Sequence, residues 1–431
     1  MGVVEALKTK WDGIEHPFLI HRGRQIHFSE LIEAYDDNIN SIAQGEVVAL
    51  IGDFNPKSIV AFLQLVDRGA IIVPLTEETA EQHEYFFDAA CVNAVLKDGK
   101  LVRICDVREH DCLAELRNRD HAGLVLFSTG TTGRPKAILH DMTLFLKRFE
   151  TPRPTLTTIN FLLFDHIGGI NTLLHTLFNK GTVVAPTTRS VEDVLNTCAL
   201  HKVEVLPTTP TFLRMMLMSG HIPAKVPSSL KVITYGTERM DQATLDELCE
   251  LLPHIDFRQT FGMSELGIVR VKSKARNSLY MKIGGEGIET RIVDGVLKIR
   301  SQTRMIGYLN APSPFDGEGW YDTKDLVVED NGFIKVTGRL GDIINVGGLK
   351  FLPSEVENVA LQYPGVSLVK AYGRENPISG QHVEIIVEET AGHTLDKKLL
   401  LNFMKGKLQS FMVPKRIAIG KVTVGHRFKR A

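Results

Sequence analysis

The stretch LVLFSTGTTGRPKAILHD, Leu124 to Asp141, runs from apolar residues into a segment that is small, hydroxylated and cationic, then turns apolar again. GLVLFS reads as a short buried strand, so the loop follows a strand directly. A loop rich in Gly, Ser and Thr at a strand end suits a polyanion. Glycine lets the backbone approach closely, N–H groups and hydroxyls donate hydrogen bonds, and lysine supplies charge. The Walker loop, G-x-x-x-x-G-K-[ST], does not fit. Arg134 and Pro135 separate Gly133 from Lys136, and Ala137 stands where the magnesium-binding hydroxyl would be. AILHD reads as extended rather than helical. The expectation is a phosphate loop of another design, not a flexible surface turn.

The flanking sequence gives this loop a frame. VVALIGD and AIIVPL read as buried strands, with a helix in PKSIVAFLQLVDRGA between them: Pro56 stands near its start and Gly69 past its end. Strand, helix, strand at this spacing is a βαβ unit with a parallel sheet. SELIEAYDDNINSIA places Leu31, Ile32, Tyr35, Ile39 and Ile42 at helical spacing behind Ser29, which predicts one helix capped by Ser29. Further on, GTVVAP, EVLPTTP and SLKVITYGT read as strands, and SVEDVLNTCALHKV and TFLRMMLM as helices.

After about residue 283 the texture changes. GGEGIETRIVDGVLKIRS and LVVEDNGFIKVTGRLGDIINVGG show alternating strands joined by Asp-Gly and Asn-Gly, which predicts hairpins. The last part carries helices at PSEVENVALQY and LDKKLLLNFMKGKLQSF around strands such as HVEIIVEE, a small α+β unit. The fold class is α/β: a large domain of αβ-layered parallel sheets, spanning 1–339, and a small α+β domain, spanning 340–431, with the linker near Arg339 to Asp342.

Composition sets the outer limits. At 431 residues two or more domains are expected. A net charge of −1 gives no global field for nucleic acid or an anionic membrane, and the basic end HRFKRA reads as solvated surface. Cys91, Cys105, Cys112, Cys198 and Cys249 are odd in number and form no C-x-x-C, which argues against a disulfide framework or zinc site and fits a reducing cytoplasm. The N-terminus shows no apolar signal segment, and Ala6 stands where myristoylation prefers Ser or Thr. No apolar run approaches the roughly 18 residues of a membrane span.

STGTTGRPK resembles the signature of the adenylate-forming enzymes: acyl-CoA synthetases, peptide-synthetase adenylation domains and luciferase-type enzymes. Five more stretches extend the resemblance in order: FDHIGG (Phe164–Gly169), TYGTER (Thr234–Arg239), TFGMSE (Thr260–Glu265), GYLNAPSPF with GWYDTKDL, and GRLGDIINVGGLKFLPSEVE. The resemblance implies a distorted β-barrel region in the large domain and mobility of the small one as a lid. It also implies that Ser128, Thr129, Gly130, Thr131, Thr132, Gly133 and Lys136 cradle the β- and γ-phosphates of ATP. Ser264 would donate to the α-phosphate and Glu265 would hold Mg²⁺. Phe261, in the segment Thr260, Phe261, Gly262, Met263, would stack on adenine, whose other face Gly236, Thr237 and Glu238 would line. Asp325 would accept the ribose hydroxyls, and Arg339 would donate to ribose or phosphate. His166 would close the carboxylate pocket or gate it against the thiol channel, with Ile167, Gly168 and Gly169 against the acyl group. Gly347 and Gly348, in NVGGLKF, would flank the pantetheine arm.

Three positions depart from the family pattern. Lys324 replaces a glycine, so it sits strained at positive φ, blocks the nucleotide or adds a phosphate contact. Gly341 stands where a hinge Asp or Lys is usual, and glycine tolerates rotation there. The family's terminal lysine is unclear: His426 follows Gly425, leaving Lys429 favoured over Lys421 as the adenylation lysine.

The resemblance therefore implies an ATP-dependent acid–thiol ligase. It would activate a small-molecule carboxylic acid as acyl-AMP with pyrophosphate release. The acceptor would be coenzyme A or the phosphopantetheine of an acyl or aryl carrier protein. The short chain favours a small or planar acid. No nucleic acid or membrane partner is expected, and the protein would be a monomer or homodimer. The alternatives are a non-catalytic AMP/ATP-binding scaffold that retains the fold, and a luciferase-type oxygenase.

Overall fold

The computed structural model describes residues 2–33, 35–104, 108–128, 134–390 and 392–423. Five sheets form among them. The first has seven strands in the order Asp256–Gln259, Val232–Tyr235, Val205–Thr208, Thr158–Ile159, Val183–Ala185, Leu19–His21 and Arg24–Ile26. All its pairings are parallel except the last, a hairpin. The second sheet runs Gly307–Tyr308, Lys136–Asp141, Gly123–Ser128, Ile71–Leu75, Val47–Ile51, Ala94–Lys97, Lys100–Arg103, parallel at its centre and antiparallel at both edges.

Val47–Ile51 and Ile71–Leu75 are buried at every position, as strands covered on both faces must be. Alternation still sorts their side chains. Val48, Leu50, Ile72, Leu124 and Leu126 face a core shared with Leu19 and Val183 of the first sheet and with the helices Pro56–Asp67 and Ile167–Phe178. Val47, Ala49, Ile71, Val73 and Val125 face outward onto the helices His83–Ala89 and Asp111–Asn118. The far face of the first sheet is covered by Val191–Leu200, Pro210–Met218 and Gln242–Leu251. Two sheets thus share a middle helix layer, with helices outside each.

Helix starts follow local chemistry. The Asn55, Ser190, Thr209 and Asp241 side chains accept from backbone N–H groups of the first turn, and Pro56 and Pro210 occupy first helical positions. The expected single helix from Ser29 is two elements. Ser29 lies inside the helix Phe28–Glu33, and a 3₁₀ turn resumes at Asp37–Ser41 because Asp36 accepts from Asn38 N at 3.0 Å and restarts the chain there.

Beyond the two layered sheets lies a six-stranded antiparallel sheet, ordered Arg270–Ser273, Met281–Gly284, Phe333–Arg339, Tyr321–Asp330, Val296–Ser301, Ile288–Val293. Its hairpins turn through Asp294-Gly295 and Asn331-Gly332, with positive φ at both residues of each. That is the geometry a two-residue loop between twisted strands requires.

The 3₁₀ turn Leu340–Asp342 leads to the last sheet, built from Leu349–Phe351, Ile344–Val346, Gly380–Glu389 and Val366–Asn376, with Arg416–Ile419 beside Gly380–Glu389. It has its own apolar cluster with the helices Pro353–Ala360 and Lys397–Lys405. The second helix is shorter than expected, because it is capped by Asp396 and stops at Gly406. Arg214 joins this sheet to the rest, donating to the carbonyls of Val366 at 3.1 Å and Ser367 at 3.0 Å. Among the described residues no helix is long and apolar enough to cross a membrane.

Candidate active site

Ser128, Tyr235 and Gln259 end strands of the two layered sheets, so three of the quoted stretches leave the carboxyl ends of those strands, where open α/β sheets hold ligands. Ser128 ends its strand directly opposite Lys136, which begins the next one. Thr129, Gly130, Thr131, Thr132 and Gly133 lie outside the described residues, as does Lys429. Lys421 is described and exposed.

Glu265 is the best-defined polar group among the expected site residues. It follows the short strand Gly262–Met263 and is buried. Its Oε1 accepts from Tyr308 Oη at 2.7 Å. Tyr308 is also buried, and its ring lies under Lys136, whose Nζ is 4.9 Å from the ring centre. Burial and the Glu265 charge both raise the Tyr308 phenol above its ordinary range, so it remains a donor. Tyr308 therefore contacts both Lys136 and Glu265. Tyr308 stands in GYLNAPSPF, but strand periodicity gives no sign of where its hydroxyl points.

Behind this group lies His140, which is buried. Burial holds its imidazole at about 4, against a smaller upward pull from a hydrogen bond to the Ser264 backbone. Ser264 itself is half-buried beside Glu265. A cavity of about 480 Å³ opens on the other side of Lys136, lined by Tyr85, Arg108, His110, Arg134 and Asn310 among others.

Asp325 and Arg339 face each other across the hairpin of Tyr321–Asp330 and Phe333–Arg339. Arg339 Nε donates to Asp325 Oδ1 at 3.1 Å. Burial raises the Asp325 carboxyl, and Arg339 opposes that rise. Lys324 sits at φ +59, the conformation its glycine counterpart suggests. Its ammonium is taken up locally by Asp322 Oδ2 at 2.8 Å.

Other residues carry structural bonds where they stand. His166 caps the helix Ile167–Phe178, its Nδ1 accepting from Gly168 N at 3.0 Å. Phe164 is buried and packs edge-on against Phe54. Gly169 is required by close approach: a Cβ there would lie 2.0 Å from Leu163 O. Gly236 is equally confined, with a Cβ falling 2.1 Å from Thr260 Oγ1. Thr260 ties the two strand ends together, its N donating to Tyr235 O at 2.7 Å. Thr237 adopts φ +71, and Glu238 Oε1 accepts from Thr211 N at 2.7 Å. Phe261 and Met263 are half-buried against the antiparallel sheet. Gly347 and Gly348, at φ +61 and +87, turn the hairpin between Ile344–Val346 and Leu349–Phe351 with open space around them.

A model of the family described as AMP-binding enzyme matches residues 15–309 of this chain. The chain belongs to the AMP-binding enzyme family. Within that family it is 27% identical over 326 residues to a 3-[(3aS,4S,7aS)-7a-methyl-1,5-dioxo-octahydro-1H-inden-4-yl]propanoyl:CoA ligase of Rhodococcus jostii, covering 72% of this chain and 63% of the relative. It is 27% identical to the fatty acid–[acyl-carrier-protein] ligase ScoC of Streptomyces coeruleorubidus, over 68% of this chain and 62% of the relative. The matches thus span less than two thirds of these relatives' own lengths. The fold matches that of ATP-bound MatB from Rhodopseudomonas palustris with a TM-score of 0.81 at 20% identity, over 99% of this chain and 97% of that one. In this AMP-binding enzyme Ser128 and Lys136, Glu265, and the Asp325–Arg339 pair lie on three different sheets and connections.

Proposed function

We propose that this AMP-binding enzyme is an ATP-dependent acid–thiol ligase. A carboxylate oxygen attacks the α-phosphorus of ATP, the bond to the β-phosphate oxygen breaks, and pyrophosphate leaves. A thiol sulfur then attacks the acyl carbonyl, loses its proton and expels AMP. The first step gathers a carboxylate and a triphosphate, so catalysis rests on positioning and electrostatic stabilisation.

The observation that carries this reading is the Lys136–Tyr308–Glu265 group, whose lysine follows the glycine-rich segment in sequence. Lys136 supplies the charge for the outer phosphates. Glu265 fits Mg²⁺: one buried carboxylate with a fixed oxygen is what a cation that shares its shell with phosphate and water needs. When bound, the ion would offset phosphate charge. Asp325, already oriented by Arg339, suits the ribose hydroxyls, since a carboxylate accepts several bonds. His166, through its cap, fixes the helix start beside the Gly168–Gly169 pair, where the acid would lie.

Residues 1–339 would form the large nucleotide-binding unit and 340–431 the lid. In that lid the open Gly347–Gly348 turn leaves room for a pantetheine arm. One relative is a CoA ligase and another a carrier-protein ligase, so coenzyme A and phosphopantetheine are both acceptors to test, with coenzyme A first. Pyrophosphate release from ATP and Mg²⁺ in the presence of aryl and short aliphatic acids tests the first step. Thioester formation with coenzyme A and with holo-carrier proteins tests the second. Light emission or oxygen uptake would identify an oxygenase instead, and acid-independent nucleotide binding alone would identify a scaffold.

A further inference from the structure

The strand Gly307–Tyr308 pairs with Lys136–Asp141, and Leu309 N continues the ladder by donating to Ala137 O at 2.9 Å. One residue further, a side chain takes over. Asn310 Oδ1 accepts from Ala137 N at 2.9 Å, and Asn310 Nδ2 donates to Pro135 O at 3.0 Å. A carboxamide has the donor and acceptor of a peptide unit. Asn310 therefore does what the next backbone residue of a longer strand would do.

The two groups it holds stand on either side of Lys136. Tyr85, from the helix His83–Ala89, completes the clamp. Its Oη donates to Pro135 O at 2.7 Å and receives Asn310 Nδ2 at 3.0 Å. Lys136 needs such support. Its side chain rests against the Tyr308 ring and pairs with no carboxylate among the described residues, so its backbone sets where the ammonium goes.

We propose that Asn310 is a positioning residue for the phosphate-loop lysine. Its amide, with Tyr85, fixes the backbone on both sides of Lys136, so the ammonium meets the nucleotide's phosphates without a further ordering cost. The proposal rests on the reading of Lys136 as a phosphate ligand. The clamp lies on an exposed rim, where water competes, so it acts through order rather than through buried bond strength.

The test is ATP binding with Mg²⁺ by calorimetry on the full chain, alongside steady-state pyrophosphate release. Asn310→Ala is expected to weaken ATP about three- to tenfold, the loss of one net hydrogen bond's worth of order. The KM for the carboxylic acid and the thermal midpoint should stay unchanged. Asn310→Asp keeps the acceptor, loses the donor and adds like charge beside the phosphates, so its loss should be larger. Tyr85→Phe should give a smaller loss. Introducing Asn310→Ala into Lys136→Ala should weaken ATP no further, because the clamp acts through the lysine. Equal losses with and without Lys136, or unchanged ATP affinity in Asn310→Ala, would overturn the proposal. If Lys136→Ala itself leaves ATP affinity unchanged, the phosphate-loop reading fails, and the positioning role falls with it.

Discussion

At the scale of single residues, environment decides what the motif letters mean. Lys324 is the clearest case. Its sequence leaves three readings open: backbone strain, a block on the nucleotide or a phosphate contact. It shows φ +59 with its ammonium on Asp322, so it has the strain and spends its charge locally. Lys324→Gly is expected to raise stability by up to about 1 kcal/mol in urea unfolding, the left-handed penalty less glycine's extra chain entropy, with pyrophosphate release unchanged. A fall in stability would contradict this. His140 is a second case. Its imidazole, held at about 4 by burial against 6.5 when exposed, binds fewer protons in the folded chain than in the unfolded one. That stability is fully present above pH 6.5 and is lost as pH falls toward 4, amounting to roughly 3 kcal/mol at full expression. Urea midpoints across this window should decline steeply in the parent and less so in His140→Leu. A parallel decline would put the proton elsewhere.

At the scale of elements, the sequence was most legible where one local signal governed the outcome. Asn331-Gly332 and Asp294-Gly295 specify two-residue hairpins because both turn positions need positive φ. Pro56 with Asn55 fixes a helix start just as locally, the proline ring pre-setting φ and the Asn55 side chain accepting from Ser58 N. It was less legible where two signals competed. The apolar spacing through Ile39 and Ile42 favours a continuing helix, yet Asp36 offers the backbone a local bond and breaks it. Gly236 belongs to a third kind. Its need is set by Thr260, which ends the neighbouring strand, and no local pattern reveals that. Gly236→Ala should force those strand ends apart, cost about 1–3 kcal/mol in unfolding free energy, and weaken AMP binding as Thr237 shifts. Full stability with unchanged AMP affinity would show that the strand ends can give way.

At the scale of the whole molecule, the layered sheets and the separate last sheet were readable from alternating strand and helix signals and from the change of texture after residue 283. The docking between them was not, because it depends on long side chains that reach from one to the other. Arg214 reaches the Val366 and Ser367 carbonyls, and Arg239 lies 4.0 Å from Glu357. Arg214→Ala should loosen this docking, raise protease cleavage at Leu340–Asp342 several-fold, and change thioester formation more than pyrophosphate release. Equal cleavage would mean the sheet is held by other contacts. The central claim concerns the grip on ATP beside a carboxylic acid, and pyrophosphate release measures it most directly. The parent chain, mixed with ATP, Mg²⁺ and a panel of aryl and short aliphatic acids, should release pyrophosphate only when an accepted acid is present. Glu265→Gln should lower that rate about 10²- to 10³-fold. Release that ignores the acid, absence of release across the panel, or an undiminished rate in Glu265→Gln would contradict the account.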